Sequence, residues 1–321
     1  MSDTLAVALV GSGSMGLNHA RVIASGPRTR LTVVIDPDEA VGRAAADRHG
    51  ARWAPDLEAL GGCDAAVVAA STEHHFALAL PIVQAGMPVL VEKPLCPSLA
   101  QTEQIVAASA AGRTVLQCGL LERFNPAVLT ALRMVRAPCY VRAERHSPYA
   151  PRIRTGVGWD LLVHDVDLAV RFFGGVDPAR VDVGVGHYHP SSLPDAEDVV
   201  EATLHFPQGG VASVSASRIG QRKVRRMVIQ ELDRTVEVDL LRRGVTAYRH
   251  TTIEGEIGTG GFRQLTEMEV PEIVGAEPLV SQLAHFVDLL DGRADPDAER
   301  ASILPAHRVV DAVLAARTPV G

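Results

Sequence analysis

The stretch Leu5–Gly16 reads LAVALVGSGSMG, and it decides how the first part of the chain folds. A short apolar run ends abruptly at Gly11, and helix-compatible residues begin directly after Gly16. A strand, a glycine turn and a helix in this order are what a dinucleotide-binding fingerprint requires. The glycines allow a tight turn, a close approach of backbone N–H groups to a pyrophosphate, and close packing of helix on strand. The predicted cofactor-binding residues of this stretch are Gly11, Gly13, Ser14, Met15 and Gly16.

The residues after this motif support a cofactor site. A second β-type run over residues 30–35 ends in Asp36. A carboxylate at that position accepts the ribose hydroxyls of adenosine and repels a 2′-phosphate. The sequence therefore predicts NAD(H) as the cofactor in preference to NADP(H). The alternative interpretation is a glycine-rich turn that binds no ligand.

Length and composition restrict the class of protein. A chain of 321 residues is longer than one hydrophobic core usually supports, so two domains are expected. Its 47% apolar and 21% charged residues are typical of a globular protein. The net charge of −7 and the lack of a long basic run argue against nucleic acid or a membrane as partner. The small basic cluster at residues 222–226 is interpreted as a solvated strand face.

The cysteines and apolar runs indicate a cytoplasmic protein. Cys63, Cys96, Cys118 and Cys139 are scattered, which is typical of reduced thiols, and their spacing suits no metal site. No apolar run approaches the roughly 20 residues needed to cross a bilayer. The N-terminus leads directly into the first strand.

Short β-type runs alternate with helical ones as far as about residue 119, which predicts an α/β fold. We expect a doubly wound parallel sheet, a Rossmann domain, over residues 1–121, with ligands beyond the carboxyl ends of its strands. Ser98 and Gln101 form a predicted capping box, and Gly112 closes that helix.

Residues 122–321 are predicted to form a substrate-binding and oligomerisation domain of the α+β type. A helix is expected over residues 159–173. Mostly strands follow over residues 181–250, which indicates a large, open, mainly antiparallel sheet. Residues 251–261 are expected to form a loop. Two helices, 278–290 and 305–316, close the chain, and the last is placed to pack back on the first domain.

Glu92-Lys93-Pro94 directly follows a predicted strand of the first domain. A lysine at that sheet edge reaches both cofactor and substrate, and its charge stabilises a developing alkoxide. The alternative is a surface lysine before a turn proline.

Asp160 and His164 are four residues apart and therefore share one helix face. A histidine presented in this way removes a hydroxyl proton near neutral pH, and a nearby carboxylate orients it. Two alternatives remain. In one, Asp160 stabilises only the helix N-terminus while His164 is a core histidine; in the other, the pair binds a metal, for which no third ligand has suitable spacing.

Residues Ser71–His75 follow another predicted strand end. There Ser71 is predicted to face the cofactor backbone and His75 the nicotinamide ribose.

Four stretches together resemble the glucose–fructose oxidoreductase/inositol dehydrogenase (Gfo/Idh/MocA) family of NAD(P)-dependent sugar dehydrogenases. They are GSGSMGLNHAR (Gly11–Arg21), STEHH (Ser71–His75), AGMPVLVEKPL (Ala85–Leu95) and DLLVHDVDL (Asp160–Leu168). The resemblance implies that Lys93 polarises the hydroxyl, that His164 is the general acid/base and that Asp160 supports it. Glu92 joins Lys93 among the cofactor-binding candidates. The resemblance also implies hydride transfer between a sugar carbon and the nicotinamide, and a homodimer or homotetramer formed through the open sheet.

A narrower resemblance is to the branch that oxidises C3 of UDP-N-acetylhexosamines. It is carried by ERFNPAV (Glu122–Val128) and RHSPYAPRIRTGVGWDLLVHDVD (Arg145–Asp167). The substrate-binding residues that it implies are Arg123, Asn125, Arg152, Arg154 and Trp159, with the arginines suited to a diphosphate. The opposing interpretation places these arginines on a solvated loop or on the cofactor side.

Two rival functions accompany this hypothesis. One is a ketosugar or cyclitol (inositol-type) enzyme that works in the reductive direction, with the same residues. The other is a non-catalytic NAD-binding sensor or regulator on the same fold. A sensor has no need of Lys93, Asp160 and His164 together, which favours the enzyme.

Overall fold

The computed structural model describes residues 4–151, 153–254 and 262–316. The chain divides into two compact units. Unit 1 comprises Met1–Leu121 and Glu277–Arg308, and unit 2 comprises Glu122–Ala276 and Val309–Gly321. The sequence placed residues 277–308 in the second domain. They lie in unit 1 because Leu279, Leu283 and Phe286 pack into its core.

The helices are named in chain order. They are α1 (Ser14–Ser25), α2 (Glu39–Asp47), α3 (His75–Gln84), α4 (Leu99–Gly112), α5 (Pro126–Met134), α6 (Val163–Phe172), α7 (Pro278–Leu290), α8 (Pro296–Ala301) and α9 (Leu304–Ala315). Helix α8 was not predicted from the sequence. No helix among the described residues is long and apolar enough to cross a membrane.

Unit 1 contains a six-stranded parallel sheet in the order β3-β2-β1-β4-β5-β6. Its strands are β1 (Leu5–Val10), β2 (Thr29–Ile35), β3 (Arg52–Ala54), β4 (Ala65–Val68), β5 (Val89–Glu92) and β6 (Leu116–Gly119). Every residue of β4, β5 and β6 is buried, as expected of parallel strands covered on both faces. The order reverses direction beside β1, so the predicted doubly wound Rossmann fold is confirmed.

The capping of α4 follows the sequence only in part. The Ser98 side chain accepts a hydrogen bond from the backbone N–H of Gln101 at 3.3 Å. The Oε1 atom of Gln101 is buried and accepts no hydrogen bond, so the reciprocal half of the predicted box does not form. The left-handed residue that ends the helix is Arg113, with φ of 51°, whereas Gly112 is still helical.

Unit 2 contains an eight-stranded sheet in the order β14-β13-β12-β11-β7-β10-β9-β8. Its strands are β7 (Tyr140–His146), β8 (Arg180–Gly186), β9 (Val199–His205), β10 (Val211–Ser217), β11 (Val224–Gln230), β12 (Thr235–Asp239), β13 (Gly244–Glu254) and β14 (Phe262–Glu269). The pair of β7 with β10 is parallel and the other pairs are antiparallel. The expected, mainly antiparallel sheet is therefore present.

Two predictions for unit 2 need correction. The expected loop over residues 251–261 begins too early, because β13 extends to Glu254 and pairs with the unpredicted β14. Residues 255–261 lie outside the described part of the chain. The helix expected over 159–173 consists of a π-helical turn, Gly158–Leu162, followed by α6.

Candidate active site

The glycine loop of unit 1 has the geometry that the fingerprint requires. Gly11 has φ of +92°, and a Cβ there would lie 2.6 Å from the Cα of Ala70. A Cβ on Gly16 would lie 2.1 Å from the carbonyl oxygen of Gly11, so only glycine allows this approach. A Cβ on Gly13, which caps α1, would meet no atom within 4 Å. The N-terminal end of α1, with exposed Ser14 and half-buried Met15, is thus open to an anionic group.

Asp36 holds the glycine loop in place. Its Oδ2 atom accepts hydrogen bonds from the backbone N–H and the hydroxyl of Ser12, at 2.8 and 2.6 Å. Its Oδ1 atom accepts from the N–H of Asp38 at 3.0 Å. The indole of Trp53 donates to the Asp36 carbonyl oxygen at 3.0 Å. The half-buried carboxylate therefore ends β2 at the loop, as the sequence predicts, and also orders that loop.

Lys93 is half-buried and directly follows β5, whose last residue is Glu92. The buried Glu92 carboxylate contacts the Nε2 atom of His19 at 2.8 Å and the backbone N–H of Lys93 at 3.2 Å. Burial alone would raise the pKa of Glu92, but the hydrogen bond and charge of His19 and the charge of Lys93 outweigh it, so this pKa is lowered. Glu92 is thus ionised and internal to the unit.

The two cofactor-binding candidates that follow β4, Ser71 and His75, differ in their exposure. Ser71 is exposed and its hydroxyl contacts the Nδ1 atom of His74 at 2.9 Å. His75 is 1% exposed, and its ring nitrogens lie 2.9 Å from the carbonyl oxygen of Pro94 and 3.0 Å from that of Ala70. Ser71 is accessible to a ligand, whereas the His75 ring joins two backbone segments.

In unit 2 the chain enters the π-helical turn through Gly156–Gly158, and Glu197 anchors this entry. Glu197 Oε1 accepts a hydrogen bond from the N–H of Gly158 at 2.7 Å. A Cβ on Gly156 would lie 2.2 Å from the same carboxylate. Sequence reasoning did not identify Glu197, although two glycines directly before Trp159 signal such a close approach.

Asp160 and His164 share the accessible side of this segment. In the stretch 157–170 they are the two side chains that are not buried. The N–H of Val163 donates to the carbonyl oxygen of Gly158, five residues earlier, which forms the π turn between them. Wider turns of this kind occur often at functional sites. The helix thus presents one carboxylate and one imidazole, while the other side chains of the stretch are buried.

A buried charge network lies next to these residues. Arg145 is 0% exposed, and its guanidinium contacts Asp165 at 2.7 and 2.9 Å and Glu122 at 2.9 Å. Burial would lower the pKa of Arg145, but both carboxylates raise it above its ordinary value. The network therefore holds a buried cation against Asp165, the residue that follows His164.

Arg225 is a candidate that sequence reasoning missed. It lies opposite Arg145 in the β7–β11 register, and its NH1 atom is 3.8 Å from Glu122 Oε1. Burial and the charge of Arg145 lower its pKa, against the opposing charges of Glu122, Asp165 and Asp160. The interpretation of a solvated strand face is wrong here, because Arg225 shares its side of β11 with buried Met227. The two-residue alternation of a strand, which puts Arg225 on the same side as Met227, could have predicted this from the sequence.

Two predicted substrate residues are used internally. Arg123 is 4% exposed, and its Nε and NH2 atoms donate to Asp167 at 2.9 and 2.6 Å. Asn125 caps α5 by accepting from the N–H of Ala127 at 3.1 Å, and its amide donates to the carbonyl oxygen of Leu240 at 3.2 Å. Both side chains thus have partners inside unit 2, and substrate binding by them stays a prediction. Arg152 lies outside the described residues.

Arg154 and Trp159 line one cavity of unit 2, with a volume of about 540 Å³. Arg154 is exposed, while Trp159 is buried beside Asp160. The other lining residues are Thr155, Gly156, Leu193, Pro194, Asp195, Ala196, Glu197 and Leu314. The predicted residues are thus brought together where the chain leads into the π turn.

Both units match models of known protein families. The family model described as "Oxidoreductase family, NAD-binding Rossmann fold" matches residues 5–120, and that of the GFO/IDH/MocA C-terminal domain matches residues 128–235. The chain belongs to the GFO/IDH/MocA oxidoreductases. It is an enzyme with a dinucleotide-binding Rossmann domain, as its sequence predicts.

This GFO/IDH/MocA oxidoreductase is similar to two relatives by sequence and to one solved structure. It is 29% identical to the UDP-N-acetylglucosamine 3-dehydrogenase of Acidithiobacillus ferrooxidans, over 88% of the chain and 87% of that protein. Inositol 2-dehydrogenase 2 of Saccharopolyspora erythraea is 35% identical over 66% of each chain. The solved structure of UDP-N-acetylglucosamine 3-dehydrogenase GnnA from Acidithiobacillus ferrooxidans has a TM-score of 0.84 at 27% identity, over 97% of this chain and 98% of that one.

Proposed function

We propose that the chain is an NAD(H)-dependent dehydrogenase that acts on a secondary hydroxyl of a sugar or nucleotide sugar, with C3 of a UDP-N-acetylhexosamine as the leading candidate. The observation that carries this is the presentation of Asp160 and His164, the two unburied side chains of the stretch 157–170. Similarity over 88% of the chain to a UDP-N-acetylglucosamine 3-dehydrogenase supports the substrate class.

Each proposed role follows from the chemistry of its side chain. His164 takes the proton of the reacting hydroxyl, and the carboxylate of Asp160 stabilises the imidazolium that results. The ammonium group of Lys93 stabilises the negative charge that develops on the substrate oxygen. A bound nicotinamide cofactor would supply the hydride acceptor for the substrate carbon. In the reductive direction the same groups return the proton.

The cofactor preference follows from Asp36. Its carboxylate ends β2 beside the glycine loop, where it would repel a 2′-phosphate. Fluorescence of Trp53, whose indole donates to Asp36, offers a direct readout. We expect NAD⁺ to bind at least tenfold more tightly than NADP⁺, and equal titration of both would refute the preference. Exposed Ser14 and Ser71 complete the proposed cofactor-binding edge.

The cavity beside the π turn is the proposed site for the distal part of the substrate. Arg154 offers a guanidinium suited to a phosphate, and Trp159 offers an apolar surface. Half-buried Arg225 supplies a second donor near Asp160. A neutral cyclitol has no group that requires these two cations, so they favour a nucleotide sugar over inositol.

Assembly and location form a further part of the proposal. The sheet face away from buried Val141 and Ala143 carries the partly exposed Tyr140, Val228 and Tyr248. We propose that this face forms a homodimer or homotetramer, which light scattering after size-exclusion chromatography will test. All four cysteines are free thiols, which suits a reducing compartment such as the cytoplasm.

A substrate panel tests the function. UDP-N-acetylhexosamines, free sugars and inositols are each incubated with NAD⁺, and NADH absorbance is followed. We expect turnover with a nucleotide sugar; turnover confined to inositols would establish the cyclitol alternative, and turnover with no panel member would favour the sensor.

Two variants then test the roles. Lys93→Ala and His164→Ala should each reduce kcat by about 10²–10⁴-fold. His187→Asn, at an exposed histidine that follows β8, should retain wild-type turnover. Full activity in both site variants would refute the assignment.

A further inference from the structure

Three buried histidines from three different helices hold the segment that carries Lys93. We propose that His19, His75 and His307 are positioning residues for Lys93, a role that rests on the proposed function of this lysine. They act on Glu92, Pro94 and Leu95, the neighbours of Lys93 on both sides. All six of these residues and Lys93 belong to unit 1.

The first contact fixes the residue before Lys93. His19 lies on α1, the helix that begins at the glycine loop, and is 2% exposed. Its Nε2 atom lies 2.8 Å from Glu92 Oε1, and the carboxylate accepts. The other oxygen of Glu92 accepts from the Lys93 N–H at 3.2 Å. The carboxylate therefore connects the cofactor helix to the backbone of Lys93 itself.

The second contact fixes the residue after Lys93. His75 opens α3, and its Nδ1 atom lies 2.9 Å from the carbonyl oxygen of Pro94. Its Nε2 atom lies 3.0 Å from the carbonyl oxygen of Ala70, just beyond β4. A neutral imidazole donates to one of these carbonyls and an imidazolium to both. In either form the ring occupies the space between two adjacent strand ends.

The third contact comes from the far end of the chain. His307 on α9 is 0% exposed, and its Nε2 atom accepts from the backbone N–H of Leu95 at 3.1 Å. Its Nδ1 atom donates to the carbonyl oxygen of Ile303 at 2.7 Å. The two partners together require a neutral ring with its proton on Nδ1. His307 is thus an oriented acceptor.

The three contacts converge on residues 92–95, so the backbone on both sides of Lys93 is fixed from α1, α3 and α9. A lysine side chain is long and flexible, and its ammonium can be placed accurately only from a rigid backbone. Displacement of a catalytic group by about 1 Å can cost about 100-fold in rate. Buried histidines that only fill the core would not affect the chemical step in this way.

Paired substitutions test the proposal in the full-length enzyme. His307→Leu removes the acceptor for Leu95, whereas His307→Gln retains an amide oxygen in its place. His19→Leu and His19→Gln form the equivalent pair for Glu92. The matched control is His285→Leu, because His285 also contacts a glutamate of unit 1, Glu299 at 3.3 Å, away from the Lys93 segment.

We expect each leucine variant to lower kcat by about 10–100-fold, with the KM for NAD⁺ changed less than about twofold. The primary deuterium isotope effect should rise as hydride transfer becomes rate-limiting. The glutamine variants should recover most of the rate, and His285→Leu should retain it. Wild-type kcat and isotope effect in His19→Leu and His307→Leu would overturn the proposal.

Thiol labelling gives a readout that does not depend on turnover. Cys96 follows Leu95, is 0% exposed, and burial raises its pKa to about 12. It should resist a thiol reagent in the wild type and react at least tenfold faster in His307→Leu, while far-ultraviolet circular dichroism stays unchanged. If the wild type turns over no substrate, the proposed function fails. Independently of turnover, equal reaction rates of Cys96 with the reagent in the wild type and in His307→Leu would overturn the positioning proposal.

Discussion

The two regions that carry the candidate catalytic residues are made rigid in different ways. Around Lys93 in unit 1, imidazoles contact two backbone groups and one carboxylate. Around Asp160 and His164 in unit 2, the support is a buried guanidinium between two carboxylates. Contacts from an imidazole leave a modest defect when one is removed, whereas removal of a buried charge leaves its partners unpaired. The second region should therefore be the more sensitive to single substitutions.

The largest expected effect is that of Arg145→Met. The substitution leaves the buried carboxylate of Asp165 without its cation, which typically costs about 3–5 kcal/mol in the free energy of unfolding. Urea unfolding followed by circular dichroism measures it. Arg142→Met on the same strand is the control, because this side chain is 57% exposed and should show no measurable loss. Equal stability of both variants would contradict the claim that the region around Asp160 and His164 depends on a buried charge.

A smaller effect is expected from Glu92→Gln in unit 1. The folded-state pKa of Glu92 is lowered, so its stabilising contribution is complete above the unfolded value of about 4.3 and is lost as the pH falls through the folded value. At pH 7 the free energy of unfolding of the variant should be about 1–3 kcal/mol lower than that of the wild type. Below about pH 4 the two free energies should approach each other. Urea unfolding across this range measures the difference.

The control for that experiment is an exposed ion pair of unit 1. Arg21 of α1 pairs with Glu277, and both side chains are more than 40% exposed. Glu277→Gln should therefore leave stability unchanged across the pH range. A difference between wild type and Glu92→Gln that does not vary with pH would contradict the lowered pKa.

The smallest expected effect is a difference in KM between alanine variants of two adjacent arginines of β11. Arg225→Ala should raise the KM for the sugar substrate about tenfold, because it removes a half-buried donor near Asp160. Arg226→Ala should change KM less than about twofold, since its 59% exposed side chain pairs with Glu144 on the opposite side of the strand. Equal KM values would show that Arg225 only balances the acidic residues around it.

The two regions also differ in how well they could be predicted from the sequence. The strand–glycine–helix order and the position of Lys93 after β5 follow from short-range patterns, and the structure reproduces them. The contacts of Lys93's neighbours were not predictable, because the partner of Leu95 is 212 residues away along the chain. Local periodicity carries no information on such a pair.

In unit 2 the differences between the predictions and the structure have a common physical origin. The resemblance implies Arg123 and Asn125 as substrate ligands, and the structure adds internal partners for both, Asp167 and the N-terminus of α5. Arg225 was interpreted as solvated because it belongs to a charged run, although strand alternation turns it inward. Strand β14 was missed because its pairing with β13 is not encoded locally. In each case tertiary pairing determines a contact that the local sequence does not reveal.

The return of the chain to unit 1 has a consequence for the order of biosynthesis. Leu95 leaves the ribosome 212 residues before His307. The backbone N–H of Leu95 therefore has no acceptor in the His307 ring until most of the chain has been synthesised. Helix α7, which completes the core of unit 1, also follows all the strands of unit 2. A nascent chain can therefore form the parallel sheet early, but it can arrange the lysine segment only once translation is nearly finished.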